Sequence, residues 1–216
     1  MKIRLAIAIA SLDCCKETVS MLKHILSSVL FSLLFASTVF ATPTSDVKRT
    51  VDEVIRIVSS KEMKKNPQIR RQQLKKTISR IFDYTEMAQR SLGKQWKELS
   101  PAEKKEFSEL FSNVLENSYG DKIESYNNEK IVYMKENIEG NRAEVKSKVV
   151  TTKHDEYTID YRLINKNGKW VVYDVVIEGV SLVSNYRTQF SRTISENGYP
   201  ELLKRLKGKN EEFKSP

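Results

Sequence analysis

The chain has 216 residues, 30% of them charged, with 37 Lys or Arg against 28 Asp or Glu. Seven Gly, five Pro and no visible repeat or low-complexity block exclude a disordered or fibrous polymer, and two Cys with two His leave little for a disulfide or metal framework. The net charge of +9 suits nucleic acid in a cytosolic protein; in an exported one it suits lipid headgroups or an acidic protein face.

Residues 21–41, MLKHILSSVLFSLLFASTVFA, have the layout of a secretory signal. Lys23 and His24 form a basic head, residues 25–40 are apolar apart from Ser and Thr, and Val39-Phe40-Ala41 ends on the small residue a signal peptidase reads. The run is short for a span of ~20 residues, so cleavage after Ala41 is expected rather than a membrane anchor. Residues 1–20 add a second signal-like head and a polar stretch, and a true start at Met21 makes them dispensable. Both cysteines, Cys14 and Cys15, lie there, with Asp13 a poor fit to a lipoprotein signal. Residues 1–41 hold four Lys or Arg and two Asp or Glu. The mature chain of 175 residues therefore carries +7 and has no disulfide, thiol nucleophile or Cys metal site.

After a short linker at residues 42–45, a helix is expected from Asp46, with Val47, Val51, Val54, Ile55 and Val58 on one face. Residues 61–67 read as a polar break. A second helix starts near Gln68 and carries Leu74, Ile78, Ile81 and Phe82. A third covers residues 85–92 and ends at Gly93. Ser100-Pro101-Ala102-Glu103 is a capping box with proline at the first helical position. The helix it opens carries Phe107, Leu110, Phe111, Val114 and Leu115 on one stripe, and Gly120 is expected to kink it.

From Lys130 the period becomes two. Residues 131–135 form a strand. Ala143, Val145, Ser147 and Val149 alternate with charged residues, and so do Tyr157, Ile159, Tyr161 and Leu163. Asn167-Gly168 is a hairpin turn. Residues 170–177 are apolar on both faces apart from Tyr173 and Asp174, as in a strand covered on both sides. Glu178-Gly179 stops it. Leu182, Tyr186, Phe190 and Ile194 mark another helix, and residues 200–206 a last one. The fold class is α+β: N-terminal helices, a curved antiparallel sheet of about four to five strands, then C-terminal helices.

No catalytic set is legible. His154, the one histidine of the mature chain, sits in a polar turn and reads as an exposed loop residue. One His without Cys cannot supply the usual zinc ligands. No phosphate-binding glycine loop or nucleophile elbow appears. Asp174, inside an apolar strand, reads either as an ion-pair partner of Arg162 or Arg187, or as a headgroup or catalytic carboxylate. Composition alone describes an exported α+β domain that binds something.

A set of spaced residues goes further. Phe82-Asp83-Tyr84-Thr85, Leu92-Gly93, Trp96, Phe107, Phe111 and Tyr119-Gly120 are followed by Asp160-Tyr161-Arg162-Leu163 and Gly168-Lys169-Trp170. Tyr173-Asp174-Val175, Glu178-Gly179-Val180-Ser181-Leu182, Asn185-Tyr186-Arg187, Phe190, Gly198 and Leu202-Leu203 complete the pattern. Together they resemble the MlaC family of toluene-tolerance auxiliary proteins over nearly all of the mature chain. The resemblance implies a periplasmic phospholipid carrier and not an enzyme, with no metal or organic cofactor. Its expected partners are an inner-membrane ABC transporter complex and an outer-membrane lipoprotein complex, not nucleic acid. It also implies an apolar pocket between sheet and helices, with acyl chains buried and the headgroup near solvent. The residues placed to line that pocket are Phe82, Trp96, Phe107, Phe111, Val114, Val149, Tyr161, Val172, Val176, Tyr186 and Phe190. The register at Asn167-Gly168 leaves open which strand face is used. Other apolar cargo, such as a hopanoid, or an interaction module without ligand are the alternatives. The lysines of residues 61–76 and 204–209 are candidate docking clusters.

Overall fold

Thr42 caps the first helix, its side chain accepting the Ser45 N–H at 3.2 Å, with Pro43 at the first helical position. The computed structural model describes residues 42–213, so the signal layout at residues 21–41 and the dispensable head at 1–20 lie outside the described residues. Helix α1 is Pro43–Ser59. The expected linker at residues 42–45 is therefore cap and first turn. Ser60 caps a further short helix, α2 (Lys61–Lys65), where a polar break was expected, because its hydroxyl accepts the Met63 N–H. Helix α3 is Pro67–Ile78, α4 is Tyr84–Leu92, and a 3-10 turn follows at Gly93–Glu98. Ile81 and Phe82 thus lie beyond α3 rather than on it.

The capping box at Ser100 forms as expected: the Ser100 hydroxyl accepts the Glu103 N–H and the Glu103 carboxylate accepts the Ser100 N–H at 2.8 Å. Helix α5 runs unbroken over Pro101–Glu124, so Gly120 does not kink it. The final helix, α6 (Leu182–Glu212), is two helical segments meeting at Gly198, whose φ of 81° takes it out of helical geometry just before Pro200.

Between α5 and α6 lies a five-stranded antiparallel meander in chain order: β1 (Lys130–Glu139), β2 (Arg142–Val150), β3 (Glu156–Lys166), β4 (Lys169–Ile177) and the short β5 (Val180–Ser181). Strand β1 is twice the expected length. A bulge at Met134 breaks the alternation that the sequence pattern relies on. A second bulge at Tyr173 re-phases β4, because Arg162 pairs with Asp174 while Leu163 pairs with Val172. Val172 and Val175 consequently face the same side, which is why β4 reads as apolar throughout.

Two apolar clusters result. The sheet cluster joins Val145, Leu163, Trp170, Val172 and Val175 to Val47 of α1 and to Ile81. The helical cluster joins Met87, Phe107, Phe111, Val114, Phe190 and Leu202. Phe82 and Tyr119 border both. A third, smaller group packs Ile57 and Val58 of α1 on Leu74 of α3.

Candidate functional site

The helices are stitched to the sheet at one place. The Asp83 N–H donates to the Val172 carbonyl at 2.9 Å, and the Val172 N–H donates to the Ile81 carbonyl at 2.7 Å, so Phe82 bridges β4 in parallel sense. Asp83 also caps α4 by accepting the Glu86 N–H, and Lys166 of β3 reaches both Asp83 (2.6 Å) and Glu86 (2.9 Å). Burial raises the Glu86 carboxyl, but hydrogen bonds from Lys166 and Arg90 outweigh it and hold Glu86 below the usual carboxylate range.

Asp174 is the second latch. Its carboxylate accepts from the Ser181 hydroxyl at 2.6 Å, the Val183 N–H at 3.0 Å and Arg162 Nη1 at 3.2 Å. Of the two expected arginine partners the structure selects Arg162. The Arg187 guanidinium instead lies against Gly93, where an added Cβ would meet it at 3.3 Å. Asp174 is only 3% exposed, and its burial is tolerated because these three groups donate to it. The acid fastens the start of α6 to β4. His154 is exposed in its turn.

The residues expected to line a pocket divide between the clusters. Phe107, Phe111, Val114 and Phe190 are buried in the helical cluster, with Trp96 and Tyr186 packed against it. Its rings are close: Phe111 lies 5.0 Å from Tyr186 and 5.3 Å from Phe190, both edge to face. Tyr161 and Val172 are in the sheet cluster, and Phe82 adjoins both. Val149 shares the Val145 face of β2. Val176 pairs with Asp160 and so lies on the face opposite Tyr161 and Val175.

Between α1 and the sheet is an apolar seam with a void of about 20 Å³, bounded by Val47, Thr50 and Val51 on one side and Ile81, Phe82, Tyr161 and Val172 on the other. That is room for about one water-sized molecule and far too little for an acyl chain. Helix α1 closes the seam with few anchors. Its Thr44 N–H donates to the Glu136 carboxylate of β1 at 2.6 Å, and Val47 packs into the sheet cluster. Tyrosines Tyr133, Tyr157 and Tyr161 stand on the same face of β1 and β3, opposite Ser147, Val149 and Val145 of β2. Burial pushes the Tyr161 phenol up to about 12 and raises that of Tyr133 as well, so both remain neutral donors. Sequence alternation points to the face but not to α1 as its cover.

A larger cleft of about 320 Å³ opens between α3, α5 and the end of α6. It is lined by Arg71, Lys75 and Lys207, whose charges are met by Asp121 and Glu124, Glu116, and Glu106. Its chemistry does not suit acyl chains. Among the described residues no group of three or more His, Cys, Asp or Glu could hold a metal ion, and no helix is long and apolar enough to cross a membrane.

Comparisons with known proteins agree with this architecture. The family model described as MlaC protein matches residues 48–208. The chain is 26% identical over 184 residues to the toluene tolerance protein ttg2D of Pseudomonas putida, covering 83% of this chain and 86% of that one. It is 22% identical over 191 residues to the intermembrane phospholipid transport system binding protein MlaC of Haemophilus influenzae, covering 84% and 89%. Among solved structures, a phospholipid-binding protein of Ralstonia solanacearum in complex with a phospholipid superposes with a TM-score of 0.72 at 23% identity. That superposition covers 79% of this chain and 98% of the other.

Proposed function

Because the chain belongs to the MlaC family, we propose that it is a phospholipid-binding carrier of the periplasm, exported by residues 1–41, that exchanges lipid with an outer-membrane complex and an inner-membrane ABC transporter. The observation that carries the reading is the seam between α1 and the sheet, whose lining is almost wholly apolar and whose cover is held by few polar contacts. Its closed volume means that loading requires α1 to part from the sheet. Enclosing two chains of about 16 carbons avoids an aqueous exposure that costs on the order of 20 kcal/mol, which keeps the cargo bound between membranes. That cost depends on chain length rather than headgroup, so a carrier of this kind is tolerant of headgroup chemistry. The phospholipid-bound Ralstonia fold and the Haemophilus transport-system relative support the choice of cargo.

The test is native mass spectrometry and lipid extraction of the protein purified from the periplasm. Bound diacyl phospholipid is the expected result. A hopanoid in its place would reassign the cargo, and a ligand-free protein that takes up none from vesicles would leave an interaction module.

A further inference from the structure

Four buried side-chain polar atoms have no hydrogen-bond partner among the described residues: Arg70 Nε, Ser91 Oγ and the hydroxyls of Tyr133 and Tyr199. Of these, only Tyr133 belongs to the sheet, and its ring packs on the sheet cluster. A buried donor without an acceptor is costly, and a protein of this size has few of them. Two groups near Tyr133 make their hydrogen bonds elsewhere. The Ser147 hydroxyl opposite it donates to the Ile159 carbonyl. The Asp52 carboxylate of α1, an electrostatic neighbour of Tyr133, is held by Lys48 at 2.5 Å. The remaining neighbour, Tyr161, borders the seam itself.

We infer that the Tyr133 hydroxyl is a ligand-binding donor, meeting an acceptor oxygen of the bound lipid where its apolar chains join its polar end. The inference rests on the carrier reading above. A lipid offers two such oxygens, the ester carbonyl of the glycerol linkage and the phosphate. Tyr161 borders the seam and neighbours Tyr133 on edge strand β1, so an acyl chain lying along Val51, Tyr161 and Val172 would bring its polar end within reach of that hydroxyl.

Tyr133→Phe removes the hydroxyl and keeps the ring. Mature wild type and variant are stripped of lipid and loaded from vesicles of diacyl phosphatidylglycerol or of its dialkyl ether analogue with the same chains. Retained lipid is counted by native mass spectrometry, and the urea midpoint of each lipid-free protein is measured. The variant is expected to retain about five-fold less ligand, as one hydrogen bond predicts, while its lipid-free midpoint is unchanged or raised. A loss confined to the diacyl lipid identifies the ester carbonyl, and an equal loss of both identifies the phosphate. Unchanged retention of both lipids overturns the inference and leaves the carrier reading standing. A lowered lipid-free midpoint also overturns it, since the hydroxyl would then be structural. Failure of wild type to take up either lipid overturns the carrier reading and this inference with it.

Discussion

Replacing Phe111 separates a pocket-lining residue from a core residue. Its side chain is fully buried, with the rings of Tyr186, Phe190 and Phe107 at 5.0, 5.3 and 5.9 Å. Truncation to alanine removes those contacts and leaves a cavity in a well-filled cluster, a loss of about 3–5 kcal/mol. Against a total stability of about 5–15 kcal/mol this is a large fraction. With a urea slope of about 2 kcal/mol per M, the midpoint falls by about 1.5–2.5 M. Phe111→Asp adds an unpaired buried charge and is expected to prevent folding. On the proposed reading Val51→Asp, in the half-buried seam, is expected to cost about 1–2 kcal/mol and to abolish lipid loading, because the charge would face the acyl chains. Urea unfolding with lipid counting by native mass spectrometry reads both effects. A Phe111→Ala protein with a near-wild-type midpoint and no lipid would refute this reasoning and place the acyl chains in the helical cluster.

Asp174→Ala strands the buried Val183 N–H and releases the start of α6, a predicted loss of about 2–4 kcal/mol by urea unfolding. Arg162→Ala removes a partner that is 42% exposed and is expected to cost under about 1 kcal/mol. Equal losses would contradict the assignment of the Asp174 contacts. Glu86 titrates below its unfolded value of about 4.3, so it stabilises the fold above that pH and the contribution is lost as pH falls through the lower folded value. Glu86→Gln should therefore lower the urea midpoint at pH 7 and flatten its decline into acid; an unchanged acid limb would contradict the pairing with Lys166 and Arg90. Lys61, Lys64 and Lys76, and likewise Lys204 and Lys209, have no ion-pair partner among the described residues. Charge reversal in a cluster that steers docking should slow association with the isolated membrane complexes at low salt, an effect that vanishes as screening shortens to about 8 Å. Rates insensitive to both changes would leave these lysines merely solvating helix faces.

What the sequence makes legible here is local. The Ser100-to-Glu103 box, the Asn167-Gly168 turn and the alternation of β2 are each read from residues a few positions apart, and each stands in the structure. The start of α1 is missed because Thr42-Pro43-Thr44-Ser45 has the composition of a linker, although Thr42 and Pro43 are also cap and first-turn residues. The length of β1 is missed because the Met134 bulge interrupts its period. The site is harder still. Phe82 joins β4 through backbone hydrogen bonds to a residue ninety positions away, and nothing in the Phe107 and Phe111 stripe distinguishes a filled cluster from a pocket wall. Apolar periodicity marks the buried faces, whereas the pairing of those faces is a tertiary outcome. The Asp83 and Asp174 portions of the family pattern illustrate this, for both act as latches between helices and sheet.

If acyl chains lie between α1 and the sheet, as proposed, the two tryptophans report on them differently. Trp170 is buried in the sheet cluster, and Trp96 packs on the helical cluster. Loading the protein with a phospholipid brominated along its acyl chains, a quencher that acts at contact range, tests the placement directly in Trp96→Phe and Trp170→Phe backgrounds. Trp170 fluorescence is expected to be quenched while Trp96 fluorescence persists. Quenching of Trp96 with Trp170 unaffected would contradict that placement.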